Sequence, residues 1–189
     1  MAYVIVIGAV VAVVLIVLIL LFNRLVRLRN KVDTAWHQID VQLNRRHELV
    51  PRLVAIVKGY AIHEKEVLTS VTVARSQAQS AASIKSKGPA EDGLSNALGG
   101  VMLVVESYPG LKADEGFEKL VDELTHTETA IAGARKYYNG SVMQYDNATQ
   151  SFPGNIVAGA LKGSFPEREY FELDDAAMRI APDATLSPR

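Results

Sequence analysis

Four histidines, His37, His47, His63 and His126, are the side chains best suited to hold a metal or move a proton. A zinc-protease helix needs His-Glu-x-x-His, because only i and i+4 place two imidazoles on one helix face. His63-Glu64 begins that pattern, but Val67 stands where the second histidine is required. His37 and His47 are too far apart to act as such a pair. The chain has no Cys, which removes thiolate metal sites, disulfides and a thiol nucleophile. It has no Gly-x-Ser-x-Gly elbow. Gly99-Gly100 lies inside a helical pattern and not after a strand, so it does not read as a phosphate loop. Glu106, Glu123 and Glu128 are better read as caps, surface groups or members of core ion pairs than as a glycosidase pair. The expectation is therefore no catalytic residue, no metal and no cofactor.

Two other groups suggest binding. Trp36 and the run Tyr137-Tyr138-Asn139 could line a pocket, yet Trp36 and Tyr138 fall on apolar series and read first as core. Arg45-Arg46-His47 could take a phosphate, yet Arg46 falls on a core-facing position. A buried arginine requires a partner carboxylate, so a structural ion pair is the better reading. Bulk charge adds nothing for nucleic acid: 20 Lys plus Arg against 21 Asp plus Glu leave a net charge of -1. A hydrophobic content of 49% excludes a disordered chain.

The elements that would position these residues begin with an uncharged run from Ala2 to Phe22. As a helix it spans roughly 31 Å, the thickness of a bilayer's hydrocarbon. The apolar stretch is too long, and its start too poor in Lys and Arg, for a signal peptide. Arg24, Arg27, Arg29 and Lys31 follow at once. The positive-inside rule places everything after Phe22 in the cytoplasm. These four residues read as topology signals, with attraction to anionic lipid heads as the alternative.

Beyond the span the pattern is helical. Leu25, Val32, Ile39, Leu53, Val67 and Ala74 share one seven-residue series with Arg46 and Tyr60. Trp36, Leu43, Val50, Val57 and Val71 share its companion, interrupted by Glu64. Pro51 should kink the helix, and Gly59 is a possible stop. Ser86-Lys87-Gly88-Pro89 reads as an internal loop. Leu94, Leu98, Val101 and Val105 give a short helix ended by Pro109-Gly110. Asp114 can cap the next helix. Along that helix Phe117, Leu124, Ile131, Tyr138, Tyr145 and Phe152 recur every seventh residue. Phe152-Pro153-Gly154 ends it. The remainder reads as irregular and increasingly acidic, pinned by Tyr170 and Phe171.

The expected fold is all-α. Residues 1–23 form a transmembrane helix, 24–152 an antiparallel four-helix bundle, and 153–189 a tail. If Gly59 ends the first soluble helix, residues 24–58 and 114–150 are antiparallel, with paired numbers summing to about 174. That register sets Trp36 by Tyr138 and Leu43 by Ile131. It also brings two opposite-charge pairs together, Arg46 with Glu128 and Asp40 with Arg135. The rival architecture is one helix continuing through Gly59, followed by a helical hairpin.

RLRNKVDTAWHQIDVQLNRRHELVPRLVAIVKGYAIHEKEVL, residues 27–68, and ESYPGLKADEGFEKLVDELTHTETAIAGARKYYNGSVMQYDNATQSFPGNIVA, residues 106–158, resemble the LemA family of bacterial membrane proteins. Tyr145-Asp146-Asn147 departs from the family's usual Tyr-Asn. The resemblance implies one N-terminal span, a helical bundle and no list of catalytic residues. The function expected is a non-enzymatic, membrane-anchored scaffold that associates with itself or organises partners. An adaptor for another membrane protein, such as a membrane metalloprotease, is the alternative, and an unrecognised enzyme the second. The partners expected are the lipid bilayer and further copies of the chain, with another membrane protein as a candidate and no nucleic acid.

Overall fold

In the computed structural model, residues 1–161 and 163–172 are described. Among them, six helices and no strand occur. Helix α1 runs from Ala2 to Tyr60, α2 from Lys65 to Ser80, α3 from Ile84 to Val105, and α4 from Pro109 to Lys112. Helix α5 covers Glu115–Gln150 and α6 covers Gly154–Ala160. The N-terminal part of α1 is long and apolar enough to cross a membrane. An 18-residue window there has a mean hydropathy of 3.7 and is 0% buried. Below it the same helix turns amphipathic, which is why Leu25, Val32, Ile39, Leu43, Leu53 and Val57 are all buried.

The chain divides into two compact units. The first comprises residues 1–49 and 121–170. Here α1 and α5 run antiparallel: Lys31 meets Gln144, Trp36 meets Tyr138 and Arg46 meets Glu128. Numbers rise along one helix as they fall along the other. Leu124, Ile131, Tyr138 and Tyr145 supply the buried face of α5. Gly154 lets the chain fold back after α5, because a Cβ there would lie 2.0 Å from the Ala148 carbonyl oxygen.

The second unit comprises residues 50–120 and, among the described residues of the tail, Phe171 and Glu172. Helix α2 packs on α3, burying Leu68, Val71, Leu94, Leu98 and Val101. Tyr60 at the end of α1 donates its hydroxyl proton to Asp114 Oδ2 at 2.8 Å. Asp114 Oδ1 in turn accepts from the Phe117 amide at 2.9 Å, capping α5. Those two bonds tie the start of α5 to the end of α1.

Helix α1 contains Pro51 and ends at Tyr60, one residue past the stop expected at Gly59, so it does not continue into α2. Other sequence expectations are corrected. Ser86–Pro89 is not a loop but the start of α3. Ser83 and Ser86 form a reciprocal capping box that nucleates a helix ahead of the proline. The intermediate helices accordingly begin and end elsewhere than composition suggested. Residues 154–160 form a helix where an irregular tail was expected. Phe152 is 79% exposed, because α5 stops at Gln150 and the seven-residue series loses its helical phase. Tyr170 is exposed and Phe171 is 1% exposed, so of that pair the phenylalanine is the buried one. Asp174, Asp175 and Asp183 of the acidic tail lie outside the described residues.

Candidate functional site

The most constrained part of the first unit is the seam between α1 and α5. Its centre is Arg46, which donates from Nη1 to Glu128 Oε1 at 2.6 Å. The two partners differ in environment: Arg46 is 2% exposed and Glu128 42%. Arg46 thus extends its stem through the core and meets its carboxylate at the edge. Trp36 lies against Tyr138, with ring centroids 5.4 Å apart. Asp40 and Arg135 are half-buried, and Asp40 is engaged within the fold.

Towards the apolar stretch of α1, the segment after α6 lies along the seam as a strap. Tyr138 donates its hydroxyl proton to the Glu169 carbonyl at 2.7 Å, and Tyr145 to the Pro166 carbonyl at 2.9 Å. Arg29 donates to the Ser164 carbonyl at 3.0 Å. Arg168 pairs with Asp33 at 2.9 Å, and Phe165 meets Phe22 edge-on at 5.8 Å. Burial pushes the Tyr138 phenol up to about 12, with Arg168 pulling the other way. Burial also raises the Tyr145 phenol. Both phenols therefore remain protonated donors at neutral pH.

The basic residues after the apolar stretch are divided by this arrangement. Arg29 is held by the strap, and Lys31 donates to Gln144 Oε1 at 2.9 Å while lying over the Tyr137 ring. Arg27 donates to the carbonyl of Asn23 in its own helix. Arg24 lines a cavity of about 540 Å³ at the end of the apolar stretch.

The strap contacts were not read from the sequence. A signal did exist: buried tyrosines need a partner for the hydroxyl, and no residue of the helical series supplied one. Arg168 and Asp33 gave no comparable cue, since neither lies in a periodic pattern. Among the described residues no group of three or more His, Asp or Glu is placed to hold a metal ion. The arrangement combines an antiparallel helical pair, a strap fastened by backbone acceptors, and a half-polar cavity beside an apolar helix.

Comparison with known proteins bears on this arrangement. Magnetosome protein MamQ 2 of Paramagnetospirillum magneticum is 32% identical over 83 residues, 44% of this chain and 30% of that protein. Magnetosome protein MamQ of Magnetospirillum gryphiswaldense is 32% identical over 82 residues, 43% of this chain and 29% of that protein. Protein LemA of Metamycoplasma hominis is 25% identical over 141 residues, 74% of this chain and 64% of that protein. The chain thus spans less than a third of the magnetosome relatives it matches. The family model for LemA matches residues 35–185, which takes in most of the α1–α5 seam, the strap and residues 50–120 of the second unit, and the chain belongs to the LemA family.

Proposed function

We propose that this protein is a non-enzymatic, membrane-anchored helical scaffold at the bacterial inner membrane, associating with itself and facing the cytoplasm. One observation carries the reading: the apolar stretch and the amphipathic stretch are a single helix, Ala2–Tyr60. A flexible linker would let a catalytic domain roam. A continuous helix instead transmits the position of the span to the helix that pairs with α5. Gly8 and Ala12 are spaced to let two spans approach closely. Val41 and Leu103, 62% and 69% exposed, are large apolar side chains left on the surface of the folded part.

Full-length protein in mild detergent should show a mass above the monomer over a wide concentration range. Monomer mass throughout would sink self-association. For orientation, a His126→Cys variant should resist an impermeant thiol reagent in intact cells and react after lysis. Labelling before lysis would reverse the topology.

A second reading is favoured by the second unit. Val54, Ile62, Leu68 and Val73 line an apolar groove bordered by Lys58 and Lys65. Such a groove suits an amphipathic helix of another membrane protein carrying acidic residues at its edge. Recovery of one stoichiometric partner from native membranes would favour this adaptor role.

A further inference from the structure

The cavity at the end of the span joins apolar to polar lining. Leu21, Arg24 and Leu28 of α1 form one wall; Gln144 and Asn147 of α5 and Ser151 after it form the other. None of its lining residues is acidic. Lys31 has only protons to offer, so its 2.9 Å bond to Gln144 fixes the amide oxygen towards the lysine. The Gln144 Nε2 group is then the donor left for other acceptors. One guanidinium with amide and hydroxyl donors around it, and no carboxylate, is a site for an anion.

The location selects which anion. Leu21 belongs to the last turn of the apolar stretch, so the wall of the cavity continues the unburied surface of the span. Whatever hydrocarbon surrounds that helix ends at the cavity mouth. At that mouth stand Phe152, which itself lines the cavity, and Ile156, 79% and 57% exposed. A Cβ added at Gly154, between them, would meet Leu25 Cδ2 at 3.9 Å, so this turn lies close to α1. Exposed aromatic and aliphatic side chains there have no use for a small soluble phosphate. They suit the boundary between headgroups and acyl chains.

We infer that this cavity holds the phosphate headgroup of an anionic phospholipid, with Arg24 on the phosphate and Phe152 in the adjoining acyl region. The inference rests on the membrane-anchored reading and adds a lipid class to it. The anchor thereby acquires a chemical preference: the protein collects anionic lipid at the foot of the span.

The test uses the full chain in bilayers of phosphatidylcholine and phosphatidylglycerol at roughly 3:1. A Phe152→Trp reporter is compared with the parent, whose Trp36 supplies the background. Bromine is placed on the acyl chains of one lipid or the other. Corrected for mole fraction, brominated phosphatidylglycerol should quench the reporter more, by up to about fivefold, the attraction of one basic residue for an anionic surface. Arg24→Gln in the reporter should erase that excess, and Arg24→Lys should keep part of it. Equal quenching by the two lipids overturns the headgroup site. Displacement of the excess by millimolar glycerol phosphate would assign the cavity to a soluble phosphate and overturn the lipid. Co-flotation of the protein with the vesicles is measured in parallel. Flotation without any quenching leaves the anchor standing and overturns the cavity alone, whereas loss of flotation sinks the membrane reading itself.

Discussion

Arg46 on α1 and Glu128 on α5 meet at 2.6 Å, one buried and the other 42% exposed. The asymmetry sets the cost of separating them. A fully buried pair loses about 3–5 kcal/mol when one partner is removed. Here water can approach the carboxylate side, and a charged hydrogen bond of about 1.5–3 kcal/mol is the better measure. Glu128→Ala should therefore destabilise by about 2 kcal/mol in urea unfolding of the full chain, and Glu128→Gln by less. A neutral Glu128→Ala would show that Arg46 draws its stability from elsewhere in the core.

The antiparallel register makes a covalent prediction. Leu43 and Ile131 are both buried and fall between the contacts Trp36–Tyr138 and Arg46–Glu128. The chain contains no cysteine. Leu43→Cys combined with Ile131→Cys should form an intramolecular disulfide under mild oxidation, seen as faster migration on a non-reducing gel. Pairing Leu43→Cys with Leu124→Cys, two helical turns away on α5, should not.

The strap should respond to alkaline pH. Tyr138 has its phenol raised from 10.0 to about 12 by burial, so folding favours the protonated form. Its contribution is complete below the ordinary tyrosine value and is lost as pH rises from about 10 through about 12. Tyr145 is shifted in the same direction. Hydrogen exchange at residues 164–170 should accelerate across that window. Tyr138→Phe combined with Tyr145→Phe should expose the strap to protease at neutral pH. Unchanged cleavage would mean that Arg29 and Arg168 suffice to hold it.

Asp114 should show the opposite pH sign. Its carboxyl is held below the usual range, first by the Phe117 amide and then by the Tyr60 hydroxyl. The folded value is depressed, so its contribution is present above the unfolded value and fades as pH falls through the folded one. Asp114→Ala should lower the urea midpoint, and more at pH 7 than at pH 2. Asp114→Asn retains an acceptor for the Phe117 amide and should recover part of the loss. Equal midpoints for the two variants at pH 7 would remove the cap from the account.

Gly88 sets two effects against each other. Within a helix, Ala is favoured over Gly by about 1 kcal/mol. A Cβ at Gly88, however, would lie 2.0 Å from the Glu172 carbonyl oxygen, a backbone atom that must move. Gly88→Ala should keep α3 intact by circular dichroism while exchange quickens at residues 171 and 172. Slower exchange there would show that the carbonyl has room to retreat.

What the sequence by itself determined was whatever depends on period and charge. Leu25, Val32 and Ile39 on one helix, and Leu124, Ile131 and Tyr138 on the other, repeat at helical spacing, and burial follows from that spacing. An uncharged run of bilayer length is equally legible, as is an Asp placed to cap α5. The seam was legible in part, since a charged residue on a core series demands a partner. Tertiary structure decided the rest. Ser86–Pro89 reads as a loop until Ser83 and Ser86 cap each other, a local bond that composition does not weigh against a Gly-Pro step. The strap has no period at all. Its place comes from carbonyls of residues 164–169 reaching the Arg29 guanidinium and two buried phenols, backbone groups that every residue carries. The cavity at Arg24 likewise arises because α5 stops at Gln150 and the chain turns back at Gly154. Spacing reveals which face of a helix seeks burial; which backbone atoms come to lie against that face is settled only when distant segments pack.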